Sequence, residues 1–155
     1  MSEFMAIIEE SEAAADRLAP AEIQAIVEGH SAFEEKLRAA SAYIDAQSLP
    51  TGPRDNPNWW AIEKAVPATG EASPDDLWQF ILEVLARKPD DKVIEVLAAG
   101  PLEDLIARFG TSHIEVLEAE ARTNPAFRGL LGGVWQNRTP AAIWSRIERA
   151  RGASW

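Results

Sequence analysis

Proline and glycine fall at nearly every point where one apolar helical stripe gives way to the next, and this punctuation constrains the fold more than any other feature of the chain. Between the marks, apolar residues recur at the spacing of an amphipathic helix, and no stretch joins β-branched enrichment to strict alternation. The chain therefore reads as all-α. Short helices joined by tight Gly/Pro turns imply stacked helical hairpins of the HEAT-like kind or an irregular helical bundle.

The spacing predicts a first helix over Ser2 to Leu18, ended before Pro20, and a second from about Pro20 to Gln47 with Ile23, Ile26, Val27, Phe33, Leu37 and Ile44 facing inward. Residues 48–58, SLPTGPRDNPN, are the strongest loop signal in the sequence. They divide the chain into an acidic helical arm over residues 1–50, a loop over 51–57, a compact helical domain over 58–151 and a frayed end over 152–155.

Within the domain, Asn58 is placed to cap NWWAIEKAV, which stops before Pro67 because a proline disfavours helix in the residue preceding it. Ser73 caps the next helix, Pro74 takes its first position, and Asp75 and Asp76 meet the positive end of the dipole. The triplet recurs at Pro89, Asp90 and Asp91. Gly100 and Pro101 then read as a near-zero-length joint, glycine closing one helix in the left-handed conformation and proline opening the next. Gly110 reads the same way, closing LEDLIARF before Thr111 or Ser112 caps SHIEVLEAEARTN. Asn124-Pro125 opens AFRGLL, Gly132-Gly133 stop it, and Thr139-Pro140 start the final helix.

Charge narrows the partners. The net charge is -10, and residues 1–35 carry nine acidic residues against one base, Arg17. Residues 111–155 carry six arginines against four glutamates. Such a chain is repelled by a polyanion, so nucleic acid is not expected, and a basic protein partner suits it better. No apolar stretch approaches the ~20 residues of a membrane span, and acidic residues stand where a secretion signal has lysine or arginine. A cytoplasmic location follows as an expectation, together with the absence of cysteine.

Little in the sequence supports catalysis. His30 has Glu34 one helical turn away, a spacing suited to a metal or a proton relay, but a surface histidine on an acidic helix explains it as well. His113 reads as a packing or solvent-facing residue. The carboxylate pairs Asp75-Asp76, Asp90-Asp91 and Glu103-Asp104 each fall in a first helical turn, where capping and the dipole account for them. Gly129, Gly132 and Gly133 lack the preceding strand, lysine and hydroxyl of a phosphate-binding loop. No catalytic, cofactor-binding or metal-ligating residue is assigned, and no enzymatic activity is expected.

The six tryptophans carry more information. Adjacent helical residues point about 100° apart, so Trp59 and Trp60 do not share one core face easily. Tryptophan and arginine dominate the energetic centres of interfaces. The expected partner-binding residues are therefore Trp59, Trp60, Trp135, Asn137 and Arg138 as anchors, with Glu9, Glu12, Glu28 and Glu35 steering a basic partner. Homodimerisation through the N-terminal helices is compatible with this reading.

The segment AAGPLEDLIARFG (98–110), with WWAIEKA (59–65) before it and GLLGGVWQNRTPAAIW (129–144) after it, resembles an uncharacterised bacterial domain family of short helical proteins. The resemblance covers roughly residues 57–150 and implies a HEAT-like helical module with no assigned activity or catalytic residues. The function expected is a non-enzymatic protein-protein interaction module, most concretely a bacterial immunity or antitoxin-like inhibitor of a basic partner. The alternatives are an accessory or adaptor subunit of a bacterial or phage assembly and, third, an enzyme of unknown type.

Overall fold

The computed structural model describes residues 20–49, 52, 54–65 and 73–155, without the side chains of 20, 22, 23, 26, 27 and 29–33. The expected helix over Ser2 to Leu18 lies outside the described residues, as do Glu9, Glu12 and the side chain of His30. Among the described residues every regular element is helical. In chain order they are α1 (Pro20–Ser48), α2 (Trp59–Ala65), α3 (Pro74–Ala86), α4 (Asp91–Leu97), α5 (Glu103–Thr123), α6 (Pro125–Leu130) and α7 (Ala141–Ala150). A π-turn (Ala98–Leu102) links α4 to α5, and a single 3₁₀ turn (Leu131–Gly133) follows α6.

The chain divides into two units, residues 1–36 and 37–155. The division falls inside α1 rather than at the proline-rich loop expected to mark it. The reason is composition. From residue 39 onward α1 presents Ala39, Ala40, Ala42 and Ala46, small enough for close approach, around a wholly buried Tyr43. Tyr43 meets Phe80 of α3 edge to face, centroids 5.3 Å apart. Arg87, just past α3, donates from Nη2 to the Leu37 carbonyl at 3.1 Å and from Nε to Ser41 Oγ at 3.3 Å. Asn56 closes the loop below, donating from Nδ2 to the Ala46 carbonyl and accepting from the Asn58 amide, both at 3.0 Å.

Capping follows the sequence in part. Asp90 accepts from the Val93 amide at 3.0 Å, and Asn124 accepts from Ala126 and Phe127 at 3.1 and 3.2 Å. Ser73 has the extended cap conformation, but its side chain makes no capping bond. Pro74 and the dipole-facing aspartates start α3 instead.

The chain does not turn at Gly100-Pro101. Leu97, Ala98, Leu102 and Glu103 all have right-handed helical dihedrals, and the Glu103 amide donates to the Ala98 carbonyl five residues back. Proline supplies no amide proton, and the wider π register passes over the bond it leaves unmade. Thus α4 runs on into α5 as one interrupted rod. Gly110 closes nothing either, since α5 continues unbroken to Thr123 and neither Thr111 nor Ser112 begins a helix. Its role is contact: a Cβ there would stand 2.8 Å from Ile143 Cγ2 of α7.

The core gathers around this rod. Leu97, Leu102, Leu105, Ile106 and Leu117 are fully buried, with Ile81 and Val84 from α3, Phe127 and Leu130 from α6, and Ile147 from α7. Each such side chain contributes about 1.5–3 kcal/mol on removal from water. Trp78 meets Phe127 edge to face at 5.1 Å. None of the described helices is long and apolar enough to cross a membrane.

Candidate functional site

The expected anchor residues separate into two groups. Trp59 and Trp60, on α2, are both half-buried. Trp60 packs against the hydrophobic core and lies under the Arg38 guanidinium, 5.2 Å from the ring centroid. That cation-π contact and the core satisfy it locally. Trp135, Asn137 and Arg138 are brought together on the segment between the 3₁₀ turn and α7, and all three are exposed. The steering residues Glu28 and Glu35 are exposed on the first half of α1, where Glu28 accepts from Gln24 at 2.8 Å.

Trp135 is 73% exposed, the most exposed large apolar side chain among the described residues. Its backbone is nevertheless fixed. Val134 and Thr139, on either side of the exposed segment, are buried. The Trp135 amide donates to Glu103 Oε1 at 2.9 Å, and the Thr139 amide donates to the Gln136 carbonyl at 2.8 Å. Asn137 sits at φ 43, a left-handed position that asparagine adopts more readily than most residues. The result is a tight turn that holds an indole, an amide and a guanidinium in water on a rigid base.

Three contributors escape sequence reasoning. Glu103 reads as a dipole-facing acid at a helix start, yet its carboxylate takes the amide of Trp135 thirty-two residues away. Gly129, Gly132 and Gly133 form a shelf without side chains, and Trp155 lies on it. The Trp155 indole Nε1 donates to the Gly129 carbonyl at 2.9 Å, its amide donates to the Gly132 carbonyl at 3.3 Å, and the Gly152 amide donates to the Arg128 carbonyl at 3.1 Å. The segment expected to fray is held in place. The only sequence signal was the grouping of three glycines within five residues of a helical chain.

A second polar array joins α3 to α5. His113 is buried, with Nε2 3.1 Å from Asp75 Oδ1 and Nδ1 2.9 Å from Ser112 Oγ. A carboxylate only accepts, so Nε2 donates to Asp75, while Nδ1 lies within hydrogen-bond reach of the serine hydroxyl. This order of serine, histidine and aspartate has the members of a nucleophilic triad but not its exposure pattern. The Asp75 carboxylate is 85% exposed whereas the imidazole is 11% exposed. The Ser112 hydroxyl donates its proton to the Phe109 carbonyl at 3.0 Å. The array works as a pin between the start of α3 and the middle of α5.

On the opposite edge of α5, Arg146 of α7 grips Glu118 with two parallel bonds of 2.8 and 2.6 Å. The Arg146 guanidinium holds the Glu118 carboxyl below its ordinary range, opposed by partial burial and helped by the charges of Arg122 and Arg149. Among the described residues no three histidine, aspartate or glutamate side chains gather as a metal site would require.

Residues 49–154 match the model of a family of unknown function, DUF6869. The match takes in both the Gly100-Pro101 π-turn and the Trp135 turn. No curated protein and no solved structure matches the chain.

Proposed function

We propose that this chain, which belongs to DUF6869, is a non-enzymatic helical protein-protein interaction module whose contact surface centres on Trp135, Asn137 and Arg138. The observation that carries the reading is the combination at Trp135 of a side chain left in water and a backbone held by Glu103. Free energy spent on ordering is the usual cost of using a loop at an interface, and here the loop is ordered beforehand. Tryptophan and arginine are the residue types that interfaces use as anchors. The most concrete form of the proposal is an immunity or antitoxin-like inhibitor of a basic protein, toward which the acid-rich residues 1–35 supply long-range attraction.

The test is affinity capture with wild-type protein, Trp135→Ala and Arg138→Glu at low and high salt. A basic partner retained by wild type, released by salt and lost from Trp135→Ala is the expected result. Equal retention by wild type and Trp135→Ala would sink the assignment of the surface, whatever the partner.

A further inference from the structure

The base of the Trp135 turn meets two other segments. One is the π-turn: a Cβ on Gly133 would meet Ala98 Cβ at 3.0 Å, and Glu103 takes the Trp135 amide. The other is residue 155. A Cβ on Gly133 would run into the six-membered ring of Trp155, and one on Gly132 would run into the Ala153 carbonyl oxygen. Gly132 and Gly133 continue directly through Val134 into Trp135.

We infer that Trp155 is a positioning residue for Trp135: its indole, seated on the glycine shelf, sets the backbone that presents the Trp135 side chain to a partner. The inference rests on the reading of Trp135 as the contact residue. The strap formed by residues 152–155 touches the shelf through two hydrogen bonds and the indole ring, and a third bond ties Gly152 to the Arg128 carbonyl; the Trp155 residue remains 54% exposed. Such a segment opens locally at far lower free energy than the core beneath it. While it is seated, Gly132 and Gly133, the two residues with the greatest backbone freedom, lose that freedom. When it lifts, the turn loses one wall of its grip and the partner must order it at the moment of binding. The strap thereby links the position of one indole to the affinity of another.

Hydrogen exchange of wild type, Trp155→Ala and Trp155→Phe tests this. The reporters are the amides of Val134, Trp135 and Thr139, each bonded within the turn or its base. Leu117, deep in α5, reports on the fold. In Trp155→Ala the three turn amides should exchange about tenfold faster or more while Leu117 keeps its protection. Trp155→Phe keeps a ring on the shelf but loses the bond to Gly129, and it should fall between the two. Unchanged exchange at the turn in both variants would overturn the inference. Should Trp155→Ala unfold the domain as a whole, the Phe variant decides: faster turn exchange with Leu117 intact supports the strap, and wild-type exchange refutes it. Failure of the contact reading shows up separately, as a Trp135→Ala protein that still captures its partner.

Discussion

Gly110 of α5 lies directly against Ile143 of α7, for the Cβ that glycine lacks would stand 2.8 Å from Ile143 Cγ2. Two effects then compete in Gly110→Ala. Alanine favours a helix interior over glycine by about 1 kcal/mol, whereas overpacking a fitted contact costs about 1–3 kcal/mol. The steric term should win, lowering the melting temperature. In an Ile143→Ala background the obstructing methyl is gone, and the same substitution should become neutral or stabilising. A higher melting temperature for Gly110→Ala alone would show that α7 moves aside without cost.

Tyr43 is the single tyrosine of the chain, which makes its titration directly observable as tyrosinate absorbance. Burial pushes its pKa up to about 12, and Gln47, one turn along, offsets this only in part, leaving the hydroxyl short of a proper hydrogen bond. The folded value lies above that of the unfolded chain, near 10. Its contribution to stability is therefore complete below about pH 10 and lost as pH rises from there toward 12. Tyrosinate should appear together with unfolding, well above pH 10; ionisation of the folded protein at about pH 10 would contradict the burial. Tyr43→Phe keeps the ring against Phe80 and removes an ill-satisfied hydroxyl, so its stability at neutral pH should change by less than about 1 kcal/mol.

Acid should act through Glu118. Its folded pKa is depressed by Arg146, so the pair's contribution is present above the ordinary glutamate value of 4.5 and is lost as pH falls through the lower folded value. The melting temperature of Glu118→Gln, plotted against pH, should be flatter than that of wild type on the acid side of that value. Parallel curves would mean that the pair holds no differential free energy, as is common for solvent-accessible ion pairs.

The rod formed by α4, the π-turn and α5 predicts unbroken helical carbon chemical shifts from residue 91 to 123, with the Glu103 amide protected by its bond to Ala98. A left-handed glycine joint would instead give a break at Gly100 and rapid exchange at Glu103. The two readings use the same pair of residues, so the shifts decide between them without any substitution.

That pair shows where local sequence ceases to specify structure. The helical period is a property of neighbours and survives folding, which is why the class of the fold could be read directly. The helix start at Asn124-Pro125 could be read for the same reason, since a cap bonds only two or three residues ahead, whereas the repeat of the Pro-Asp-Asp triplet put Pro89 in the helix that Asp90 in fact caps. Gly100, Pro101 and Gly110 carry the local signature of a joint, yet a π register carries the helix past the first two and a distant partner governs the third: Ile143 comes within reach of Gly110 from thirty-three residues away. The contact surface divides similarly. Exposed Trp135 and Arg138 were visible as residue types, whereas Glu103 and Trp155 join them only through long-range contacts that no periodicity encodes.

The substitution Trp135→Ala separates binding from folding. The indole is 73% exposed, and the bond that fixes its residue comes from the backbone amide, which alanine retains. Stability should therefore change by less than about 0.5 kcal/mol, as for surface positions in general. Truncating a central interface tryptophan costs about 2 kcal/mol or more, a loss of some thirtyfold in affinity. Trp60→Ala should behave in the opposite way, because that ring packs on the core and under Arg38. Its melting temperature should fall while the affinity of the folded fraction stays near that of wild type. Thermal melts and partner titrations of both variants measure the two quantities independently. If Trp60→Ala weakens binding without loss of stability and Trp135→Ala does neither, the contact surface lies on α2 and the Trp135 turn is only a rigid connection.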